Sequence, residues 1–453
     1  MPVRSSDNRQ GMRGGAVLLA ATAVAVAASF TAAAAASPAA PVPSPAWQEG
    51  WMLDAAAIRE VLADAVPFVT TQLAAIAALD LPPGLYPNGT DWTHKSGFLC
   101  GCLFKAYALM GDPRWAELAA NQLEGLELDS YDDRLTHDFV SSFGEALAAD
   151  VPGAPVERYQ RVLQKAAAAW AKRYNAKVGA MCSWGRTDEE DEFKVIIDSM
   201  ASLHLMPLAA ALPGGQREWA DIGAAHAATV AANHFRGDSS TYHLVIFDPK
   251  TGERTWRGTH QGYADNSTWA RQAARGDSRH KAWAAFGFAQ YHEASGDRAA
   301  LATARTAADY YLQRMEEAQD LVPLWDLGVP ASANQPWVQS WKDSSAAAIA
   351  AAGLLRLGLL AGEPHYTAAG LRITQALTRR YLARPTTPGP ALASVLRNGT
   401  WSAPAGNFAT GLIWGDYFYL NALVLLQRLA EGADGAGAPP PTPAPAPAPT
   451  GQL

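Results

Sequence analysis

A single turn pattern recurs along the chain and restricts its architecture more than any other feature. An apolar stretch ends at a glycine, a polar, acidic or proline residue follows, and another apolar stretch begins. Glycine favours the left-handed conformation that ends an α-helix, and the residues after it start the next one. The pattern therefore predicts antiparallel helical hairpins, with turns at Met110–Pro113, Pro213–Gln216, Ser295–Arg298 and Ala361–Pro364.

Apolar residues recur at helical spacing between and around these turns. The predicted helices cover Asp54–Ala78, Phe98–Met110, Arg114–Leu126, Glu157–Tyr174, Phe193–Leu212, Trp219–His234, Trp283–Ala294, Ala299–Met315, Ala346–Leu360, Tyr366–Tyr381 and Gly411–Leu429. Their spacing is too irregular for a short-period solenoid. Roughly eleven or twelve helices, paired as hairpins within one body of about 380 residues, fit an all-α fold, the (α/α)6 barrel.

One segment interrupts the helical pattern. In Ser240–Gly258 the apolar residues Tyr242, Leu244 and Ile246 alternate with other residues, and the sequence DPKTGE that follows is typical of a turn. We expect a small β-hairpin inserted into the helical chain. Irregular insertions on a rigid scaffold often carry functional residues.

The N-terminal residues 1–36 have the form of a Sec-type signal peptide. Arg4, Arg9 and Arg13 precede the apolar run Ala16–Phe30, and small residues suited to cleavage follow. An uncleaved membrane anchor is the alternative, but the run is short for a spanning helix. We expect a secreted or periplasmic protein with no membrane attachment after cleavage.

The rest of the chain divides by composition. Residues 37–49 form a Pro/Ala linker, and residues 50–431 form the predicted barrel domain. Residues 432–453 are rich in proline and alanine and predict a disordered tail, because such a sequence favours a solvated polyproline conformation and builds no core.

The charge and cysteine content exclude several classes of protein. Lys and Arg number 36 and Asp and Glu 43, which gives a net charge of −7 without a basic block. Such a chain is a poor candidate for binding nucleic acid. Hydrophobic residues make up 49% of the chain, which is too many for a disordered protein. The 3 cysteines are too few for a disulfide framework.

Asp198 lies in an almost entirely apolar stretch, Phe193–Met200. A carboxylate in a buried helix must be paired or must have a raised pKa, and such carboxylates cluster at functional sites. The alternative is a structural aspartate that caps a neighbouring helix. We expect Asp198 to be functional.

Asp138 follows His137 at the start of a predicted helix in which Phe139 and Phe143 lie one turn apart and pack inward. It is either an N-cap or a second acid of the same site. If Asp138 and Asp198 share a cavity, their repulsion raises one pKa and keeps that carboxyl protonated near neutral pH. Acid/base chemistry on a sugar requires such a group.

The polar run Thr259–Arg271 combines amide, guanidinium and indole groups. It is either an ordinary loop or a sugar site in which arginine holds a carboxylate and tryptophan a sugar face. His234, His243 and His260 match no compact zinc spacing and no cysteine joins them. No nucleotide-binding motif stands out, so neither a metal nor another cofactor is expected.

Together these residues resemble the unsaturated glucuronyl hydrolases, glycoside hydrolase family 88. The resemblance rests on segments in the family's order: Thr136-His137-Asp138, Val195-Ile196-Ile197-Asp198, Ser240–Arg271, DSSAAAIAAAGLL (343–355) and LIWGDYFYLNAL (412–423). It implies an (α/α)6 barrel and an enzyme that releases unsaturated glucuronic acid from the non-reducing end of lyase-generated oligosaccharides. The family does so by hydrating the C4=C5 vinyl ether.

The resemblance also implies roles for individual residues. Asp198 falls on the acid/base residue that protonates C4 and helps water to add at C5, and Asp138 falls on a second aspartate that tunes it. The expected substrate-binding residues are His137, His243, Gln261, Arg271, Trp92, Trp184 and Trp269, with the three tryptophans as stacking surfaces.

Two alternatives stay open. An unsaturated rhamnogalacturonyl hydrolase shares the fold and the chemistry. A non-catalytic sugar-binding barrel belongs to another class, and the presence of both Asp138 and Asp198 argues against it.

Overall fold

The structure is a computed structural model, and hairpins of α-helices build most of it. It describes residues 53–79, 85–87, 93–95, 97–127, 139–185, 191–258, 278–327, 341–384, 393–403 and 406–434. These residues all belong to one compact unit of the chain, 45–453. The predicted signal peptide (1–36) and linker (37–49) lie outside the described residues.

Twelve α-helices follow one another in this described part of the chain. They are α1 (Ala55–Ala77), α2 (Gly97–Met110), α3 (Pro113–Glu127), α4 (Glu145–Ala148), α5 (Val156–Ala171), α6 (Leu205–Ala211), α7 (Arg217–His234), α8 (Ser278–Ser295), α9 (Arg298–Ala318), α10 (Ser344–Ala361), α11 (Pro364–Tyr381) and α12 (Ile413–Asp434). Each predicted helical segment overlaps one of them, and α4 was not predicted. Helix α12 continues past the predicted domain end at residue 431.

The four predicted hairpin turns are confirmed. Their glycines have φ between +67° and +79°, the left-handed region in which a Cβ is strained. The helices on either side of each turn pack against each other, as α2 with α3, α6 with α7, α8 with α9, and α10 with α11. The glycines are Gly111, Gly214, Gly296 and Gly362.

Helix α10 lies within the hydrophobic core. Every residue from Ser344 to Leu355 is buried, and the helix packs against α8, α11 and α12. Its small residues permit this contact on several sides: a Cβ at Gly353 would lie 3.0 Å from the backbone of Phe286 in α8. A helix that is apolar on all sides is stable only when it is enclosed in this way.

Seven short strands form three small antiparallel sheets among the described residues. The first two sheets are single hairpins. The third has three strands in the order β5–β6–β7, so the predicted hairpin within Ser240–Gly258 is confirmed as β6 and β7. The strands are β1 (Leu85–Pro87), β2 (Thr93–Lys95), β3 (Tyr174–Asn175), β4 (Ala180–Met181), β5 (Phe193–Ile196), β6 (Leu244–Phe247) and β7 (Arg254–Gly258).

The predicted helix Phe193–Leu212 is wrong in its first half. Its residues instead form β5, a 3-10 helix (Ile197–Ala201) and then the short helix α6. The residues of β5 alternate between buried and half-buried, and the strand pairs along its whole length with β6. Val195 and the two isoleucines after it are β-branched and favour a strand once a partner strand is available.

Two buried histidines join α7 to the sheets. His226 Nδ1 accepts a hydrogen bond from Met181 N–H at 3.1 Å, and His234 Nε2 donates one to Val195 O at 3.0 Å. Both rings are fully buried. Burial lowers the pKa of His226 to about 3 and that of His234 to about 4, because a charged imidazole loses its hydration there.

These histidines predict an acid-sensitive fold. Above pH 6.5 both are neutral in the folded and unfolded states and contribute nothing to pH dependence. As the pH falls below 6.5, the unfolded chain binds protons that the folded protein excludes, so stability is lost. Each histidine lowers the free energy of unfolding by about 1.4 kcal/mol per pH unit until its folded pKa is reached.

Urea denaturation between pH 7 and pH 4.5 measures this slope in the wild type and in His226→Asn. The variant has one fewer titrating group, so its free energy of unfolding falls less steeply by about 1.4 kcal/mol per pH unit. An unchanged slope in the variant contradicts the assignment, whatever the variant's stability at pH 7.

Candidate active site

The end of the β5–β6 pairing brings Asp198 and His243 together. The last paired residues are Ile196 and Leu244, and one more backbone bond runs from Ile197 N–H to His243 O at 3.0 Å. Asp198 comes next, in the first turn of the 3-10 helix. His243 Nε2 lies 3.5 Å from Asp198 Oδ2.

Asp198 is the accessible residue of an otherwise buried turn. Its side chain is 17% exposed, whereas Ile197, Ser199 and Met200 are buried. The His243 side chain is 6% exposed. The carboxyl group is therefore partly accessible, with the imidazole beside it.

Trp184 adds an aromatic surface to this pair. Its ring centroid lies 6.2 Å from that of His243, with 41° between the planes. The indole is half-buried. A partly exposed indole face beside polar groups is a common surface for the apolar face of a sugar ring.

A pair of serines links Trp184 to Asp198. The Oγ atoms of Ser183 and Ser199 lie 3.0 Å apart, and Ser183 Oγ also accepts a bond from Ile196 N–H at 2.9 Å. Each serine is the sequence neighbour of a site residue. Neither serine is among the site residues predicted from the sequence, because an isolated serine carries no signal until its partner is known.

Helix α8 supports the turn that carries Asp198. Gly287 faces the 3-10 helix so closely that a Cβ there would lie 2.5 Å from the carbonyl carbon of Met200. This is shorter than real Cβ contacts, so only glycine permits the approach. The position of Asp198 is thereby set by packing as well as by strand pairing.

The other predicted site residues lie outside the described residues, and their roles remain predictions. They are Trp92, His137, Asp138, Gln261, Trp269 and Arg271. The segment that follows Asp138 is described: Phe139 and Phe143 are buried as predicted, with ring centroids 6.3 Å apart. Part of it is a π-helix, Val140–Gly144.

Among the described residues, no group of three His, Cys, Asp or Glu side chains is arranged to hold a metal ion. His234, one of the three histidines considered for zinc, is bonded to Val195 O in the core. Cys100, Cys102 and Cys182 are buried thiols, and burial raises the pKa of Cys100 and Cys102 well above its usual range. They pack as small apolar side chains.

The arrangement can therefore transfer a proton. A partly exposed carboxyl group next to an imidazole and near an indole has the parts of a general acid/base site for a cyclic substrate. The helical fold and this site are those expected of an enzyme that works by general acid/base catalysis, and glycosidases are one such class.

Comparison with known proteins agrees with this class. No family model matches the chain. An unsaturated glucuronyl hydrolase from Bacillus sp. strain GL1 is 32% identical over 354 residues, which cover 76% of this chain and 88% of that protein. An unsaturated chondroitin disaccharide hydrolase from Streptococcus pyogenes is 30% identical over 345 residues, 74% of this chain and 81% of that protein.

A crystal structure of an unsaturated glucuronyl hydrolase specific for heparin matches with a TM-score of 0.70 and 28% identity, and the match covers 82% of this chain and 98% of that one. The chain belongs to the unsaturated glucuronyl hydrolases. The predicted (α/α)6 barrel is confirmed by this kinship.

The close approach of α8 predicts the effect of one methyl group. Gly287→Ala is expected to push the 3-10 helix away from α8, to destabilise the protein by about 1–3 kcal/mol and to lower kcat by displacing Asp198. Thermal denaturation and steady-state kinetics measure the two effects.

Gly432→Ala in α12 is the matched control, since nothing lies within 4 Å of a Cβ at that position. It is expected to stabilise the protein by up to about 1 kcal/mol and to leave kcat unchanged. Equal behaviour of the two variants contradicts the packing argument.

Proposed function

We propose that this enzyme removes 4,5-unsaturated glucuronic acid from the non-reducing end of oligosaccharides produced by a polysaccharide lyase. The observation that carries the proposal is the contact of Asp198 with His243 beside Trp184, in a chain of this family. Lyases cleave uronic acid polymers by elimination and leave a C4=C5 double bond conjugated to the ring oxygen. That vinyl ether is the group on which a positioned acid acts.

The first step in the proposal is a proton transfer to carbon. Asp198, protonated in the resting enzyme, gives its proton to C4. The electron pair of the double bond forms the new C4–H bond, and the positive charge at C5 is shared with the ring oxygen. Asp198 becomes a carboxylate next to that developing positive charge, which stabilises the transition state.

The second step is the addition of water. Water attacks C5 and passes a proton to the Asp198 carboxylate, which restores the acid. The resulting hemiketal breaks its C5–O5 bond to give a ketone at C5 and a hydroxyl at C1. This hemiacetal at C1 then collapses to an aldehyde and releases the partner sugar, so one water molecule is consumed and no net proton.

His243 orients the acid in this proposal. Its Nε2 faces Asp198 Oδ2 at 3.5 Å, and its ring lies against Trp184. A donor at that place fixes the carboxyl rotamer and leaves the second oxygen to reach C4. Trp184 supplies a stacking surface for the sugar ring.

The remaining assignments follow from the family resemblance. The charge of Asp138 raises the pKa of Asp198. Arg271 pairs with the substrate carboxylate. Gln261 binds a sugar hydroxyl. His137, Trp92 and Trp269 complete the proposed binding surface.

The names of two relatives favour a glycosaminoglycan as the source of the substrate. The protein from Streptococcus pyogenes is named for chondroitin disaccharides, and the solved neighbour is described as specific for heparin. We therefore favour a glycosaminoglycan product over the rhamnogalacturonan product of the alternative enzyme.

We also propose that the enzyme acts outside the cytoplasm, after removal of the predicted signal peptide, residues 1–36. Mass spectrometry of the purified native protein identifies its N-terminus. An N-terminus within residues 1–36 would contradict this cleavage.

The proposal predicts that Asp198→Asn loses activity without losing its fold. The amide cannot give a proton to carbon, so turnover of an unsaturated chondroitin disaccharide is expected to fall by about 10²–10⁴-fold. The loss of ultraviolet absorbance by the double bond reports turnover, and circular dichroism reports the fold.

Asp221→Asn on the outer face of α7 is the matched control. The Asp221 side chain is 69% exposed and faces Arg217 at 3.9 Å. This variant is expected to turn over like the wild type. Wild-type turnover in Asp198→Asn would overturn the assignment of the acid.

A further inference from the structure

Arg173 is a buried arginine that follows Lys172, the C-cap of α5, and its guanidinium reaches across the turn that carries Trp184. Nε donates to Cys182 O at 2.7 Å, and Nη2 donates to Gly185 O at 2.8 Å. The residue is 6% exposed. The two carbonyl groups stand on either side of Ser183 and Trp184, so one planar side chain holds both ends of this short turn.

The same turn is fixed at further points. Cys182 N–H donates to Arg173 O at 3.0 Å, and Cys182 Sγ lies 3.2 Å from Trp184 O. Gly185 has φ of +88°, a conformation that suits glycine. Ser183 N–H donates to Lys194 O at 2.7 Å, which joins the turn to the start of β5.

We propose that Arg173 is a positioning residue that holds the Trp184 indole at a fixed place beside Asp198 and His243. The inference rests on the proposed function, in which Trp184 stacks on the sugar. A half-buried indole on a loose turn would have to be ordered by each substrate molecule, and that ordering weakens binding. The two hydrogen bonds of Arg173 order the turn, and with it the indole, before the substrate binds.

The choice of arginine is what the geometry requires. A guanidinium is flat and rigid, and its Nε and Nη2 atoms donate in fixed directions to two separate carbonyls. A lysine ammonium keeps the charge but is a point donor on a flexible stem. Arg173→Lys therefore separates the fork geometry from the presence of a buried cation.

The test is a double-mutant cycle of Arg173→Lys with Trp184→Ala, read by steady-state kinetics on an unsaturated chondroitin disaccharide. Arg173→Lys is expected to raise KM about tenfold, equivalent to about 1.4 kcal/mol of binding, with a smaller change in kcat. In the Trp184→Ala background the same substitution is expected to change KM by less than twofold, because the indole it positions is gone.

Arg158→Lys is the control. Arg158 lies on α5 and forms a surface pair with Glu124 at 2.6 Å. It is expected to leave KM and kcat unchanged.

Two results overturn the inference: an unchanged KM in folded Arg173→Lys, or KM effects of Arg173→Lys and Trp184→Ala that multiply in the double variant. If Arg173→Lys does not fold, Arg173→Gln replaces it, because the glutamine amide still donates to one carbonyl. The expected result is the same: a raised KM in the wild-type background and little change in the Trp184→Ala background. The same two results overturn the inference. Failure of the proposed function looks different, since the wild type itself would then leave the double bond intact.

Discussion

The antiparallel pairing of β5 with β6 is the interaction on which the site depends. Its register places Ile196 opposite Leu244, and the next bond, from Ile197 N–H to His243 O, leaves Asp198 beside the His243 ring. A shift of one residue turns every side chain of a strand to the other face of the sheet. The register is therefore a condition for the carboxyl and the imidazole to meet, and the packing of α8 on the 3-10 helix is the other.

A three-stranded sheet this short has little stability of its own, and the helices hold it in place. From α7, His234 bonds to Val195 O in the middle of β5, and from α8, Gly287 packs on Met200. The barrel thus serves as a rigid support for a small irregular insertion.

The substrate is anionic while the chain carries a net charge of −7, so recognition must come from local groups at the site rather than from overall attraction.

Much of this organisation follows from the sequence, and the failures have physical causes. The hairpin turns were predictable because glycine is the residue that accepts φ near +70° at low cost, as at Gly111 and Gly362. The strand β5 could not be predicted in the same way. The run Val195–Ile197 is apolar and its periodicity does not distinguish a strand from a helix, and the partner strand β6 is distant along the chain. Asp198 was still identified, since a carboxylate among apolar residues is conspicuous in either conformation. The hydrogen bonds of Arg173 to Cys182 O and Gly185 O depend on tertiary contact alone, and no sequence pattern predicts them.

The proposed mechanism requires that the Asp198 carboxyl deliver a proton to C4 of the substrate from one side of the ring. The most direct measurement is the reaction of an unsaturated disaccharide in D₂O, with the early product analysed by NMR. One deuterium is expected at C4 in a single stereochemical configuration, because the acid is fixed on one face of the ring. Deuterium distributed over both configurations, or a released sugar that still carries its C4=C5 double bond, would contradict it.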